Sequence, residues 1–236
     1  MSLEQLLQIQ SIDVEMNQLR HRHKTLEQRT QLTQAQTDRA TKQEAIDAVA
    51  AQRVEAASRQ RRLEDEAQSV ADKVTADEKR LYSGEVGGMK DLQALQDEIA
   101  HLKQRQDSIE EDALEAMEQA EGFRSTVEEM EAACADLDHR IETLLDEIAA
   151  TEADIDTQLS NLESQRAETV PDIDPGVLAD YERLRPGFGS ATVVRFNGKN
   201  CVGCPSAMPA MEIDRLKHVE SNSLEHCSEC GRMVVS

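Results

Sequence analysis

The chain has 236 residues, 47 of them Asp or Glu against 26 Lys or Arg, and an aromatic content of 2% with no Trp. So few aromatics exclude an ordinary globular core of this length. The abundance of Glu, Ala, Leu, Gln, Asp and Arg indicates long helices packed through narrow seams instead. No run of about 18 apolar residues is present, so no helix is long and apolar enough to cross a bilayer.

The net charge of −21 is concentrated in one part of the chain. Residues 186–236 hold five basic residues (Arg195, Lys199, Arg215, Lys217, Arg232) and five acidic ones (Glu212, Asp214, Glu220, Glu225, Glu229), so residues 1–185 carry the whole imbalance. An acidic helical region repels nucleic acid, apart from local basic runs such as Arg59, Arg61 and Arg62. The neutral C-terminal segment lacks the footprint of a protein that holds phosphates by counterion release.

From Leu3, apolar residues recur at three- and four-residue steps through Ile9, Ile12, Met16, Leu19 and Leu26, the spacing of one helical face. Ser2 with Gln5 three residues on predicts a capping box. Between Gln28 and Gln43 the apolar pattern nearly vanishes, and it resumes out of phase with Ile46, Val49, Ala56, Leu63, Val70, Val74 and Leu81. A phase slip of this kind unwinds or bends a supercoil, so residues 28–43 are expected to form a weak or kinked zone.

Tyr82-Ser83-Gly84-Glu85-Val86-Gly87-Gly88-Met89-Lys90 then interrupts the pattern. Three glycines there make continued helix costly at roughly 1 kcal/mol each. Beyond it, one heptad frame runs from Leu92 through Ile109, Val127, Cys134, Leu144 and Ile155 to Leu162, with Ala113, Ala116 and Ala120 in a thinner middle. Cys134 occupies a seam position and reads as a packing residue. Two helical runs of nearly equal length about one glycine-rich break predict an antiparallel coiled-coil hairpin over residues 1–170, turning near 82–90. Its arms of about 75 residues would be on the order of 110 Å long.

Val170-Pro171-Asp172-Ile173-Asp174-Pro175-Gly176 ends the coiled coil. Within the linker 171–188, Asp174 caps a short helix with Pro175 at its first position, ending at Pro186-Gly187. Residues 189–236 are expected to form a small β zinc ribbon. Its Thr192-Val193-Val194 run reads as a strand, Asn197-Gly198 as a hairpin turn and Met233-Val234-Val235 as a closing strand. Pro209–His218 reads as a short helix with Met211, Ile213 and Leu216 inward.

The chemistry lies in Cys201-Val202-Gly203-Cys204 and, 22 residues later, Cys227-Ser228-Glu229-Cys230. Two Cys-x2-Cys turns supply four thiolates to one tetrahedral ion, because the two-residue gap lets backbone N–H groups point at the sulfurs. Gly203 and Gly231 fit knuckles in which a positive φ favours glycine. The alternative is a pair of disulfides. The opening Met-Ser-Leu-Glu has no basic or apolar leader, so a reducing cytoplasm is the expected compartment and metal the expected state. A closed tetrathiolate site argues for a structural Zn2+ rather than zinc hydrolysis.

His218 and His226 read as surface or supporting residues. His21, His23, His101 and His139 read as solvated or seam residues, since two histidines two apart lie on different helix faces. The acidic runs Glu64-Asp65-Glu66 and Glu110-Glu111-Asp112 read as solvated faces. No phosphate-binding loop, dinucleotide fingerprint or nucleophile elbow is found, so the chain is expected not to be an enzyme.

Several of these landmarks together carry a resemblance. They are Tyr82-Ser83-Gly84-x-Val86 followed by Lys90-Asp91-Leu92-Gln93-Ala94-Leu95, the helix Tyr181-Glu182-Arg183-Leu184-Arg185, and the paired cysteine motifs ending Cys230-Gly231-Arg232. Across essentially the whole chain the sequence resembles the bacterial four-cysteine zinc-ribbon family with an N-terminal coiled-coil hairpin, catalogued under nucleic-acid binding. The resemblance implies that Cys201, Cys204, Cys227 and Cys230 bind one Zn2+. Family members are implicated as adaptors for flagellar and type III secretion components, in binding an alternative sigma factor and in binding messenger RNA. Where the family has Asn-Pro before Lys-Glu-Leu this chain has Gly88-Met89 before Lys90-Asp91-Leu92, and where it commonly ends in an aromatic this chain has Val234-Val235. The first departure alters the hairpin tip and the second a ribbon contact.

Two functions remain open at this point. One is a non-enzymatic adaptor that binds protein partners through the acidic coiled coil and the ribbon. The alternative is a nucleic-acid-binding zinc ribbon presenting Arg195, Lys199, Arg215, Lys217 and Arg232. A third reading, in which the hairpin tip probes the interior of another machine, is disfavoured by the length of the arms.

Overall fold

The computed structural model describes residues 3–204, 208–218 and 224–235. Helix α1 (Leu3–Lys24) is followed by α2 (Glu27–Tyr82) and α3 (Met89–Thr169), then α4 (Pro175–Phe188), strand β1 (Val193–Arg195), α5 (Ala210–Lys217) and strands β2 (Leu224–His226) and β3 (Met233–Val235). The result is mainly helical, with long helices forming a coiled-coil hairpin and a small C-terminal sheet. The chain divides into two compact units, Gln31–Thr143 and Met1–Thr30 with Leu144–Ser236.

In the unit 31–143, α2 and α3 are antiparallel: the cross-helix ion pairs Lys73–Glu98, Arg105–Glu66 and Arg39–Asp138 grow steadily wider in sequence away from the turn. Ala67, Val70 and Val74 of α2 pack on Leu95, Ile99, Leu102 and Ile109 of α3, and Ile46 packs on Val127 and Cys134. Exposed pairs contribute at most about 1 kcal/mol each, so the apolar seam holds the hairpin. The turn lies between Tyr82 and Met89, inside the glycine-rich break, where Gly84 takes a φ of 79°. Cys134 is buried in the seam, as its heptad position predicts.

The helix does not weaken at 28–43. It breaks earlier, at Thr25 and Leu26, and α2 runs unbroken through the Gln/Thr-rich stretch. Side-chain pairs four residues apart, Gln34 with Asp38, Arg39 with Gln43 and Gln43 with Asp47, line that stretch. Such pairs support a helix that has little apolar surface of its own. At the break, Thr25 caps the end of α1 by donating from its hydroxyl to the His21 carbonyl, while Leu26 stays buried. The predicted capping box on Ser2 lies outside the described residues.

In the other unit, the sheet order is β1-β3-β2, with β1 parallel and β2 antiparallel to β3. Alternation along the strands divides the core. Val193, Met233 and Val235 pack with Leu6 and Ile9 of α1 and Tyr181 of α4, while Val194 and Val234 face the cysteine knuckles with Leu216. The sheet is therefore covered on both sides, which explains why all three residues of β3 are buried.

Asp174 caps α4 by accepting from the amides of Gly176 and Val177, with Pro175 in the first turn. That helix continues past Pro186-Gly187 to Phe188, because a proline in the last turn removes one hydrogen bond without forcing termination; Gly189, at φ 56°, ends it. In α5, Leu216 is buried but Met211 is 87% exposed, contrary to its expected inward position. Strand β2 had no sequence signal, since Leu224-Glu225-His226 lacks β-branched residues.

Candidate metal centre

The turn Asn197–Asn200 delivers the first knuckle. Asn197 Oδ1 accepts from the amides of Lys199 and Asn200, Gly198 takes a φ of 84°, and Phe196 then bridges to Cys201. The second knuckle is formed between β2 and β3. There the Gly231 amide donates to the Cys227 carbonyl over 2.8 Å and the Cys227 amide to the Arg232 carbonyl over 2.9 Å. In the first knuckle the Cys204 amide donates to the Cys201 carbonyl over 3.0 Å.

These two turns bring Cys201, Cys204, Cys227 and Cys230 together, with all four sulfurs within 4.8 Å of one another. Across the knuckles, Cys201 Sγ lies 3.8 Å from Cys230 Sγ and Cys204 Sγ 3.5 Å from Cys227 Sγ. Sulfurs at about 2.3 Å from one tetrahedral ion are separated by about 3.8 Å, so the donor set fits a four-thiolate metal site. A disulfide needs about 2.05 Å, and all four cysteines are free. Cys201 and Cys227 are buried and the other two half-buried, so an ion held there would have little access to solvent.

Without an ion the sulfurs are unequal. Burial raises the Cys201 thiol above its ordinary range, against the pull of the Gly203 amide. Burial and the thiols of Cys230 and Cys227 also push Cys204 up. Burial also opposes ionisation of Cys230, but the Arg232 backbone amide and neighbouring thiols outweigh it and bring this group down to about 7. A cation at the centre favours all four thiolates together.

Arg232 supports the site in a way the sequence did not disclose. Its guanidinium donates to the carbonyls of Ala191 and Gly203, each over 2.9 Å, and stacks 4.9 Å above the Phe188 ring. It thereby ties the first knuckle to the end of α4. This arrangement gives the two glycines different reasons. Gly231 has the expected positive φ of 73°, whereas Gly203 does not, and a Cβ at Gly203 would lie 2.6 Å from Arg232 Cδ.

The histidines stay apart from the cysteine cluster. His226 Nε2 pairs with Asp180 Oδ2 at 2.8 Å, and His218 with its own helix through Asp214. Among the described residues, the cysteines form the one group of three or more candidate ligands that converges on a metal-sized site. The basic side chains of the ribbon that could meet nucleic acid are partly engaged: Arg195 with Glu4, Arg215 with Glu212 and Glu225, and Arg232 as above.

The ribbon is also stitched to the first helix. Gln10 of α1 accepts from the Val193 amide over 2.6 Å and donates to the Val193 carbonyl over 2.8 Å, completing the open edge of β1 as another strand would. Beside it, Asp13 is buried and accepts from Tyr181 (2.9 Å) and Arg166 (2.9 Å), while Arg185 approaches to 2.7 Å.

Residues 9–189 match the CT398-like coiled coil hairpin domain. The chain belongs to this family. Two curated Mycobacterium tuberculosis relatives, the uncharacterized proteins Rv2229c and MT2288, are each 26% identical to it over 98% of this chain and 93% of their own length. Among solved structures, a Mycobacterium smegmatis protein has a TM-score of 0.78 at 23% identity, covering 98% of this chain and 96% of its own. CT398 of Chlamydia trachomatis has a TM-score of 0.66 at 20% identity over 99% and 96%. At these identities the two structures share the fold of this CT398-like chain.

Proposed function

We propose that the chain is a non-enzymatic adaptor that binds protein partners through its acidic coiled-coil hairpin, with a C-terminal ribbon closed by one structural Zn2+ on Cys201, Cys204, Cys227 and Cys230. On this reading residues 1–170 present the binding surface, 171–188 connect, and 189–236 form the zinc-closed module of a cytoplasmic protein. The observation that carries it is the closed four-sulfur geometry in a chain whose helical region is long and acidic. A full thiolate set leaves no open coordination position for a substrate, and the surface charge favours basic protein partners over phosphates.

The alternative, a nucleic-acid-binding ribbon, has Lys199 and Lys217 in its favour, both exposed on the ribbon. One preparation tests both readings. The full chain should contain one zinc per molecule by atomic emission, and Cys227→Ser/Cys230→Ser should contain none while keeping most of its far-UV helical signal. In mobility-shift titrations at physiological salt the full chain should leave generic RNA and DNA unshifted. Tight, steeply salt-dependent binding would sink the adaptor reading, and zinc-free wild-type protein from cells grown with zinc would sink the metal assignment.

A further inference from the structure

The hairpin unit contains a groove where its seam is thinnest. Between α2 and α3 it encloses about 400 Å³, lined on one side by Glu64, Ala67, Gln68 and Ala71 and on the other by Gln106 to Met117. The seam beneath it is built from Ala67, Ala113 and Ala116, all buried. Small seam residues leave the surface above them concave. Leu114 and Met117, each one residue beyond a seam alanine, stand 55% and 43% exposed on its wall, where a solvated coiled coil would carry polar groups.

The α3 rim carries one sign of charge, while on α2 the basic run Arg59, Arg61 and Arg62 precedes Glu64. Between Gln106 and Glu121 there are seven acidic residues and no Lys or Arg. Among the described residues only one of these acids, Glu121, meets an arginine, Arg124. The two carboxylates that line the groove, Glu64 on α2 and Glu110 on α3, accept only from the neutral amides of Gln60 and Gln106. Among the described residues neither carboxylate pairs with a lysine or arginine, and both border an apolar floor. A second copy of this chain, itself at −21, would bring more negative charge to these rims.

We infer that this groove docks a basic amphipathic helix of a partner protein, apolar residues against Ala71, Leu114 and Met117 and Lys or Arg against Glu64 and Glu110. The wall from Gln106 to Met117 is about 16 Å long, three turns of helix, which matches anchors at i, i+3 or i+4 and i+7. The inference rests on the adaptor reading and gives it a place and a partner chemistry.

The test uses the full chain and a fluorescein-labelled helical peptide of about fourteen residues, with leucines at i, i+3, i+4 and i+7 and lysines on both flanks. Its counterpart has glutamates in place of the lysines. By anisotropy at physiological salt, the lysine peptide should bind and the glutamate peptide should not. Leu114→Glu/Met117→Glu should weaken binding roughly tenfold or more. Glu64→Lys/Glu110→Lys should exchange the preference between the two peptides. Glu129→Lys/Glu131→Lys, the same charge change elsewhere on α3, should leave affinity within about twofold. All three altered pairs are on the surface, and circular dichroism checks that each variant folds.

Equal binding to the groove variants, or equal loss in the Glu129/Glu131 control, overturns the assignment. So does a dimer of the chain that Leu114→Glu/Met117→Glu converts to monomer, or RNA that competes for the groove. If the peptide is ignored while the wild-type chain and the Leu114/Met117 variant pull down the same protein from lysate, the adaptor reading survives and the groove assignment falls. If the peptide binds the groove but no cellular protein is retained, the adaptor reading falls on its own.

Discussion

Arg232 and Gly203 form one device. The arginine side chain crosses the first knuckle, so the glycine there is required by contact rather than by backbone conformation. We predict that Gly203→Ala displaces Arg232 and loosens both knuckles, at a cost of about 1–3 kcal/mol of ribbon stability. Arg232→Lys keeps the charge but loses the forked donors and the stacking on Phe188. Both variants should still bind one zinc, with metal affinity lower by roughly 10- to 100-fold. Competition with a chromophoric chelator measures this directly, and wild-type affinity in both variants would show that Arg232 does not hold the site. Sequence reading found all four sulfurs, because ligand spacing is a local property. It missed Arg232 because the carbonyls it holds, at Ala191 and Gly203, are 41 and 29 residues away in the chain.

At the scale of elements, α1, the end of α3 and α4 are joined by Asp13 as well as by apolar contact. Burial alone would raise the Asp13 pKa. Hydrogen bonds from Arg166, Arg185 and Tyr181 outweigh burial and leave it below the usual carboxylate value. A carboxylate whose folded pKa is depressed contributes stability that is complete above its unfolded value of about 3.9 and is lost as pH falls through the folded one. Asp13→Asn should therefore cost about 3 kcal/mol at neutral pH, because Arg166 and Arg185 lose their shared acceptor, and should flatten the acid limb of the stability profile. With no Trp and only two Tyr in the chain, tyrosine emission in a Tyr82→Phe background follows this region through Tyr181. An unchanged acid limb would remove Asp13 from the account. Helix runs, the glycine-rich turn and the α4 cap were legible because each has a local period or a cap residue. The break at Thr25 was not, because helix continuity through 28–43 is decided by paired side chains rather than apolar pattern. Periodicity turns Met211 inward, but an eight-residue helix is too short to establish a face, and Gln10 carries no signal at all, since its partner is a backbone edge.

For the whole molecule the dominant electrostatic fact is the excess of acids. Ion pairs such as Lys73–Glu98, Arg105–Glu66 and Arg39–Asp138 are exposed and contribute little individually. A net charge of −21 repels itself most when the chain is compact. Salt weakens both effects, so the sign of its influence on stability tells which is larger. Raising NaCl from about 0.01 to 0.15 M shortens the screening length from about 30 to 8 Å, which removes long-range repulsion while leaving contacts at 3 Å partly intact. The melting temperature followed by circular dichroism at 222 nm should therefore rise over this range, by several degrees, and then level off. A fall would mean that the attraction of the cross-helix pairs outweighs the self-repulsion of the net charge. Under the same change of salt, affinity for the lysine-flanked peptide should drop. Stability and recognition thus respond to screening with opposite sign, because the acids that oppose the fold are the ones that attract the partner.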